Sequence, residues 1–234
     1  MEAGAQISSR DLALALDIRE VLYAHRELSK CAVNVAVKGS VAHLSGNTRS
    51  GKERQALREA VSRVRGVAAV WETLTISGGD LPRVLDIGCG DTKQQRFAIG
   101  VDKAHCAGVE VVSDLELGLP FPDEHADQIY AIHFLEHVHQ LVGLMNEIHR
   151  VLKPDGVLHA IVPHHSHVNA IADPTHVRFF HPQTFKYFCR EMPGVRPFRP
   201  LSVMAPAEDI FVDLMPVKKG MSPASTLELA RFFD

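Results

Sequence analysis

No apolar run in this chain approaches the ~20 consecutive residues that a bilayer-spanning helix needs. The start, MEAGAQISSRDLALALD, has no basic segment followed by an apolar one, so neither a secretory leader nor a membrane span is expected. The four cysteines, Cys31, Cys89, Cys106 and Cys189, stand far apart with no C-x-x-C pair. That spacing excludes a disulfide framework and a cysteine zinc site, and with the missing leader it points to the cytoplasm. Positive charge is not in excess: 25 Lys and Arg face 28 Asp and Glu, for a net charge of −3. A protein that grips nucleic acid by neutralising phosphates is therefore not expected. What is present is ordinary globular material, 46% hydrophobic and 23% charged, with enough apolar side chains for a core. The unusual count is 14 histidines.

At 234 residues the chain fits one large domain, or a small one fused to a compact one. The distribution of charge favours the second option. Up to residue 79 basic residues outnumber acidic ones, and only His25 and His43 occur; beyond it the balance is acidic and the other histidines follow. The change falls at Ser77-Gly78-Gly79-Asp80, a run of small residues. Residues 1–77 are thus read as one domain, 78–80 as a linker and 81–234 as a second domain.

In the first domain Leu14, Ile18, Val21, Leu22 and His25 recur at helical spacing, which predicts a helix over about residues 9–28. Val33, Val35 and Val37 alternate, Lys38-Gly39-Ser40 turns, and Ala42 and Leu44 alternate again, as in a hairpin with one buried face. Leu57, Ala60, Val61 and Val64 form a second helical stripe that stops at Gly66, and Val70, Leu74 and Ile76 close with a strand. The order is αββαβ, a small α+β domain. The pattern Val35, Val37, Gly39, Val41, Leu44, Gly46, then Ala60, Val64, Gly66-Val67 and Val70, resembles the BON family (bacterial OsmY and nodulation domain) over residues 11–77. The resemblance implies a module that binds ligands, lipids or partner proteins. Here it is read as docking to a protein partner or to a second copy of the chain.

The second domain opens with an apolar strand, Arg83–Ile87, that runs into Gly88-Cys89-Gly90. A G-x-G turn after a strand lets backbone amides approach a ligand, because no Cβ stands in the way. Phe97–Asp102 is a second strand with a carboxylate at its end, where an acid can accept from both hydroxyls of a ribose. Further strands are predicted at Val109–Val112, Ala126–Ile132 and Val157–Val162. The helix Leu141–Leu152 stops at Lys153-Pro154-Asp155-Gly156. Strand alternating with helix predicts an α/β fold with a doubly wound, Rossmann-like parallel sheet. A nicotinamide fingerprint wants a third glycine where Lys93 stands, so a dinucleotide loses ground.

An ordered series of motifs strongly resembles class I S-adenosylmethionine-dependent methyltransferases. It comprises Leu85–Gly90, Gly100-Val101-Asp102, Asp114-Leu115, Leu119–Asp123, Asp127–Tyr130, His133–His137 and Leu152–Gly156. The resemblance implies S-adenosylmethionine as cofactor. Asp86, Gly88, Cys89 and Gly90 would frame its methionine part, Asp102 the ribose, and Asp114 with Leu115 the adenine, while His133 would face the reacting methyl. Only six residues, Asp91–Arg96, separate the glycine turn from the next strand, under two helical turns. The abbreviated crossover resembles a small-enzyme subgroup, and Lys93 is a candidate for the positive charge that a full helix would otherwise supply.

The segment Pro163–Ala170 follows a strand end, so with Asp173-Pro174-Thr175-His176-Val177-Arg178-Phe179-Phe180 it is expected to roof the pocket. His176 is a candidate base or acceptor-orienting group, Arg178 a candidate anion clamp, and Tyr130 a further polar group for the acceptor. A metal reading also exists: His165 and His167 alternate as ligands on one strand face would, and Asp173, His176 and His181 follow. No H-E-x-x-H or finger spacing supports it, so no metal site is assigned. Glu136-His137 reads as a helix-start pair, with His137, His139 and His149 on partly solvated helical faces. Leu201–Met204 and Ile210–Val217 read as closing strands, and Ser222-Pro223 as the start of a last helix. The expectation is a methyltransferase acting on a small molecule or a protein. Two alternatives stand beside it: a non-catalytic protein that keeps the cofactor fold, and a metal-dependent enzyme using His164–His181.

Overall fold

The computed structural model describes residues 8–76, 83–206 and 208–234; the linker expected at 78–80 lies outside the described residues. The chain divides into two compact units, residues 1–82 and 83–234.

The first unit has the αββαβ order. Helix α1 (Ser9–Ala24) is followed by β1 (Ala32–Lys38), β2 (Val41–Thr48), α2 (Gly51–Ser62) and β3 (Ala69–Ile76). The sheet runs β1-β2-β3, with β1 and β2 antiparallel and β2 and β3 parallel. Leu14, Ile18 and Leu22 of α1 and Leu57 and Val61 of α2 pack with Val35, Val37, Leu44, Val70 and Leu74 of the sheet. Ser8 and Ser50 cap the two helices by accepting from backbone amides three residues on. The first helix ends four residues earlier than expected. Val21 and His25 lie outside its buried stripe, because i, i+4 spacing from Leu14 selects Ile18 and Leu22. Asp11 reaches from α1 to the hairpin turn and accepts from the amides of Gly39 at 3.1 Å and Ser40 at 3.0 Å. These charge-assisted bonds hold its carboxyl below the usual carboxylate range, so the turn and the helix start are fixed together.

The second unit is built on a seven-stranded sheet of order β6-β5-β4-β7-β8-β10-β9. Strands β4 (Val84–Ile87), β5 (Ile99–Asp102), β6 (Val111–Val112), β7 (Ala126–Ile132) and β8 (Leu152–Pro163) are parallel. Strand β10 (Asp209–Pro216) runs antiparallel between β8 and β9 (Phe198–Met204). Helix α3 (Leu141–Val151) crosses from β7 to β8, while α4 (Val168–Ala172) and α5 (Pro182–Phe188) follow β8, and α6 (Thr226–Phe233) ends the chain. The sheet is the expected mixed α/β one, but helices do not alternate with every strand. The β4–β5 and β5–β6 connections contain no helix, not even the short one expected at Asp91–Arg96. Asp86 takes over part of a helix's work there, accepting from the amide of Gln94 at 2.5 Å.

Two smaller expectations also shift. Lys153–Gly156 does not precede the fifth parallel strand but bulges out of it: Ala126 pairs with Leu152 and Gln128 with Val157. The last helix starts at Thr226, where Ser225 and Glu228 form a capping box that Ser222-Pro223 cannot supply. Among the described residues no helix is long and apolar enough to cross a membrane.

Gly100 marks where β5 is approached most closely. A Cβ there would meet the carbonyl oxygen of Gly108 at 1.9 Å and the Cys89 sulfur at 2.8 Å. Gly100→Ala is expected to destabilise the second unit by about 2–3 kcal/mol through overpacking against backbone, read as a lowered denaturation midpoint.

His149 of α3 is buried, with Nε2–H donating to the carbonyl of Val217 at 3.1 Å and its ring edge-on to Phe198. Burial pushes its pKa down to about 4. Between pH ~6.5 and ~4 the unfolded chain then binds a proton that the folded chain refuses, so stability falls as the pH drops through that window. Full titration removes about 3 kcal/mol. Urea midpoints measured from pH 7 to 4 should show this slope, and His149→Phe should flatten it.

Candidate functional site

The carboxyl ends of β4, β5, β6 and β7 lie side by side, and their loops surround a cavity of about 610 Å³. Its walls include Gly88, Asp102, Asp114, Leu115, His133 and Phe134. Five of the residues singled out in the sequence therefore meet in one place. Gly88 sits at φ +68°, and a Cβ would lie 2.2 Å from the Phe134 ring, so the turn needs glycine for its backbone and for its packing. Asp102 ends β5, with Oδ2 accepting from the Gly90 amide at 3.1 Å and Oδ1 from the Ala104 amide at 2.9 Å. Asp114 caps the 3-10 turn Leu115–Leu117 and turns Leu115 inward. Glu116 joins the opposite wall by accepting from the amides of His139 at 3.1 Å and Gln140 at 3.0 Å.

The remaining cofactor candidates do not line this cavity. Asp86 is buried beneath it, and desolvation raises its carboxyl to about 6. Burial likewise pushes the Cys89 thiol up to about 11, and its sulfur faces the carbonyl of Gly108 at 3.4 Å. Lys93 is not available for a ligand's carboxylate. Its ammonium donates to the carbonyl of Ala98 at 2.9 Å and pairs with Glu110, which ties the two helix-free connections together.

A second cavity of about 610 Å³ adjoins the first, sharing His133 and His137. Its other walls include Glu136, Asn169, Asp173, His176 and Asp209. His133 follows β7 at φ +50°, a conformation that strands rarely hand to a side chain, and it stands at the junction of the two spaces. Its Nδ1 is 3.5 Å from Glu136 Oε1, and this carboxylate with Asp209 raises its pKa. His176 packs edge-on to His137, the ring centroids 4.8 Å apart.

Three expectations for the acceptor side are corrected. Arg178 is not an anion clamp: Nε donates to the carbonyl of Val138 at 2.6 Å and the guanidinium also binds the carbonyl of His139, so it fastens the roof to the wall. Tyr130 is fully buried, its hydroxyl donating to Gln128 at 3.0 Å and its ring stacked on His159. His165 and His167 do not share a strand face, because β8 ends at Pro163 and a turn follows. His167 instead caps α4, with Nε2 3.6 Å from Glu208.

Among the described residues two groups could offer a metal three ligand atoms within 4.8 Å of one another. One is His164, His165 and His181; the other, which the sequence did not single out, is Glu136, His137 and His176. Glu136-His137 does not open a helix but sits in a 3-10 turn, Leu135–His137, with Glu136 only 1% exposed. His139 is exposed and lies outside any helix, while His149 is buried rather than solvated. Thr175 and Val177, from the segment expected to roof the pocket, also line the first cavity, as do Lys103 and Val138; of these last two only Lys103, directly after the expected ribose acid, had a position that could have marked it in advance.

Comparison with known proteins agrees with the two units. Residues 10–78 match the family model for the BON domain, and residues 98–160 match that for a methyltransferase domain. A sterol 24-C-methyltransferase of Gibberella zeae is 30% identical to this chain over a segment covering 32% of it and 26% of that protein. The chain thus spans about a quarter of the length of that curated relative. Among solved structures, an S-adenosylmethionine-dependent methyltransferase from Aquifex aeolicus shares 18% identity, covering 58% of this chain and 82% of the other, with a TM-score of 0.45. One from Mesorhizobium loti shares 15%, covering 57% and 90%, with a TM-score of 0.45. The chain is thus similar to the BON family over most of its first unit and to the methyltransferase-domain family over part of its second.

Proposed function

We propose that the second unit transfers a methyl group from S-adenosylmethionine to a small acceptor held in the adjoining cavity. One observation carries this reading: a cavity with a ribose-type acid, Asp102, meets a second, polar cavity at His133 and His137. The residues present fit the cofactor. About 610 Å³ falls in the ordinary range for small-molecule sites, about 300–1,000 Å³. Asp102 offers carboxylate oxygens to paired hydroxyls, Asp114 caps the loop beneath a base, and Leu115, Val138 and Val177 give that base apolar walls. When bound, the cofactor supplies an electrophilic methyl for in-line displacement, so the chain's main task is to position two reactants and exclude water.

His133, with its raised pKa, keeps a proton to higher pH than an ordinary imidazole and suits holding a developing or existing negative charge on the acceptor. His176 is assigned to orienting the acceptor. Arg178 contributes by holding the roof in place, not by touching substrate. The first unit is assigned to docking, on a protein partner or a second copy. It has its own cavity of about 650 Å³, walled by Lys30, Arg49, Lys52 and Glu53 among others, which gives such a contact a polar recess. Four free thiols fit a reducing compartment, which favours the cytoplasm.

Calorimetry with S-adenosylmethionine and labelled-methyl capture from a metabolite extract together test the reading. Cofactor heat with label transferred to a small molecule is expected. Absence of heat at high micromolar cofactor overturns it, and binding with no transfer to any acceptor reassigns the unit to a non-catalytic cofactor protein.

A further inference from the structure

The polar cavity has an unusual floor. Glu136 is 1% exposed, and among the described residues neither of its carboxylate oxygens has a hydrogen-bond partner. A buried carboxylate without donors is costly and is rarely left so in folded proteins. The nearest ring nitrogens are His133 Nδ1 at 3.5 Å and His176 Nε2 at 4.0 Å, both too far to satisfy it.

The histidine tautomers sharpen the problem. His176 Nδ1 lies 3.1 Å from the carbonyl of Ala170, and His137 Nδ1 lies 3.2 Å from the carbonyl of Thr175. A carbonyl can only accept, so in both rings Nδ1 carries the hydrogen and Nε2 of the neutral ring presents a lone pair. For His176 that lone pair faces more acceptors: Glu136 Oε1 at 4.0 Å and Asp173 Oδ2 at 3.7 Å. Acceptors converging on acceptors call for a cation between them. Donation from Nδ1 to a backbone carbonyl is also the usual way in which a metal-bound imidazole is oriented.

We propose that Glu136, His137 and His176 bind a divalent first-row transition-metal ion at the floor of this cavity. One ligand atom from each already lies within 4.8 Å of the others. Metal–nitrogen and metal–oxygen bonds of ~2.0–2.2 Å need the set to contract by roughly 1 Å, within the reach of side-chain adjustment. Two imidazoles with one carboxylate select zinc, iron or manganese over magnesium and calcium, which prefer all-oxygen shells. Asp173 and Asp209 also line the cavity around the position. Asp173 Oδ1 is committed to the amide and hydroxyl of Thr175, which leaves Oδ2 for a fourth, outer contact. Three protein ligands leave positions open toward the cavity, so the ion takes an oxygen of the acceptor there; this last clause rests on the methyl-transfer reading. The acceptor class is then an oxygen ligand such as a hydroxyl, enolate or carboxylate.

The other histidine group serves as the control. His164 and His181 spend Nδ1 on Ser166 Oγ at 2.7 Å and on the Gln183 amide at 3.1 Å, and no buried unpartnered carboxylate adjoins them.

The full chain, stripped with chelator and passed through desalting, is titrated with Zn²⁺, Mn²⁺ and Mg²⁺, and bound metal is counted by mass spectrometry. About one Zn²⁺ per chain and no retained Mg²⁺ are expected. Glu136→Gln and His176→Ala should each weaken zinc by about 10–100-fold, and His165→Ala should leave it unchanged. Substitution with Co²⁺ gives a readout without variants: d–d bands lacking thiolate charge transfer support the site, and thiolate bands overturn it. Less than about a tenth of an ion per chain at micromolar zinc overturns the proposal, as does zinc lost in His165→Ala but kept in His176→Ala. Metal bound without methyl transfer sinks the enzymatic reading alone; transfer persisting in metal-free protein that binds no ion sinks the metal site alone.

Discussion

Replacing Asp102 with alanine is expected to weaken S-adenosylmethionine binding at least ~100-fold, the largest functional loss of any single change in the donor cavity. Two arguments add. The carboxylate ends β5 facing the cavity, where hydrogen bonds to a charged acceptor contribute ~1.5–3 kcal/mol each. It also accepts from the amides of Gly90 and Ala104, so its loss removes the tie that holds the glycine turn against β5. Together these reach about 3 kcal/mol or more, which is ~100-fold in affinity. Asp102→Asn should lose less, because the amide oxygen still accepts one of these bonds. His176→Ala, in the other cavity, should leave cofactor affinity within a few-fold of the parent and slow transfer instead. Calorimetry on the three variants decides; equal losses of cofactor binding in Asp102→Ala and His176→Ala would overturn the division into donor and acceptor spaces.

The largest structural effect is expected in the first unit, from Glu72→Ala. Glu72 on β3 is fully buried and is shared by Arg54 and Arg58 of α2, with Nε contacts at 3.2 and 2.9 Å. Removing the acid takes a shared, buried counter-charge from two guanidinium groups, each 5% exposed. Breaking a buried pair in this way costs about 3–5 kcal/mol, a large share of the ~5–15 kcal/mol that holds a domain folded. The chain's single tryptophan, Trp71, is buried in the neighbouring position of β3, so its fluorescence reports on this unit. The fluorescence midpoint in urea should fall sharply in Glu72→Ala and less in Glu72→Gln. Cofactor binding by the second unit should survive. An unchanged midpoint would mean that the triad contributes nothing net.

Much of the fold was legible because each element of the first unit carries its own period. The alternation at Val33–Val37 and the i, i+4 spacing of Leu14, Ile18 and Leu22 needed no partner to be read. In the second unit the parallel strands were legible as short apolar runs, and their carboxyl ends placed Gly88, Asp102, Asp114, Leu115 and His133 around one space. What was not legible depends on tertiary surroundings. Lys93 and Arg178 looked like ligand-binding cations until Glu110 and the carbonyls of Val138 and His139 claimed them. Glu136 looked like part of a helix start; a carboxylate's burial and lack of donors cannot be seen without the neighbours that bury it. The absent helices between β4 and β6 were half visible, since six residues were plainly too few for the usual crossover.

That bare flank has a consequence for hydrogen exchange. Strand β6 is two residues long, and Phe97, Val112 and Leu117 remain 56%, 54% and 88% exposed. With few buried contacts, local opening of this edge requires little free energy. Amides of Ile99–Val112 should exchange orders of magnitude faster than those of β7, β8 and β10. Because Asp102 and Asp114 hang on this same edge, a ligand bridging them would close it. The donor half is then assembled partly by its own cofactor, and protection gained on binding would map which strands were loose before it arrived.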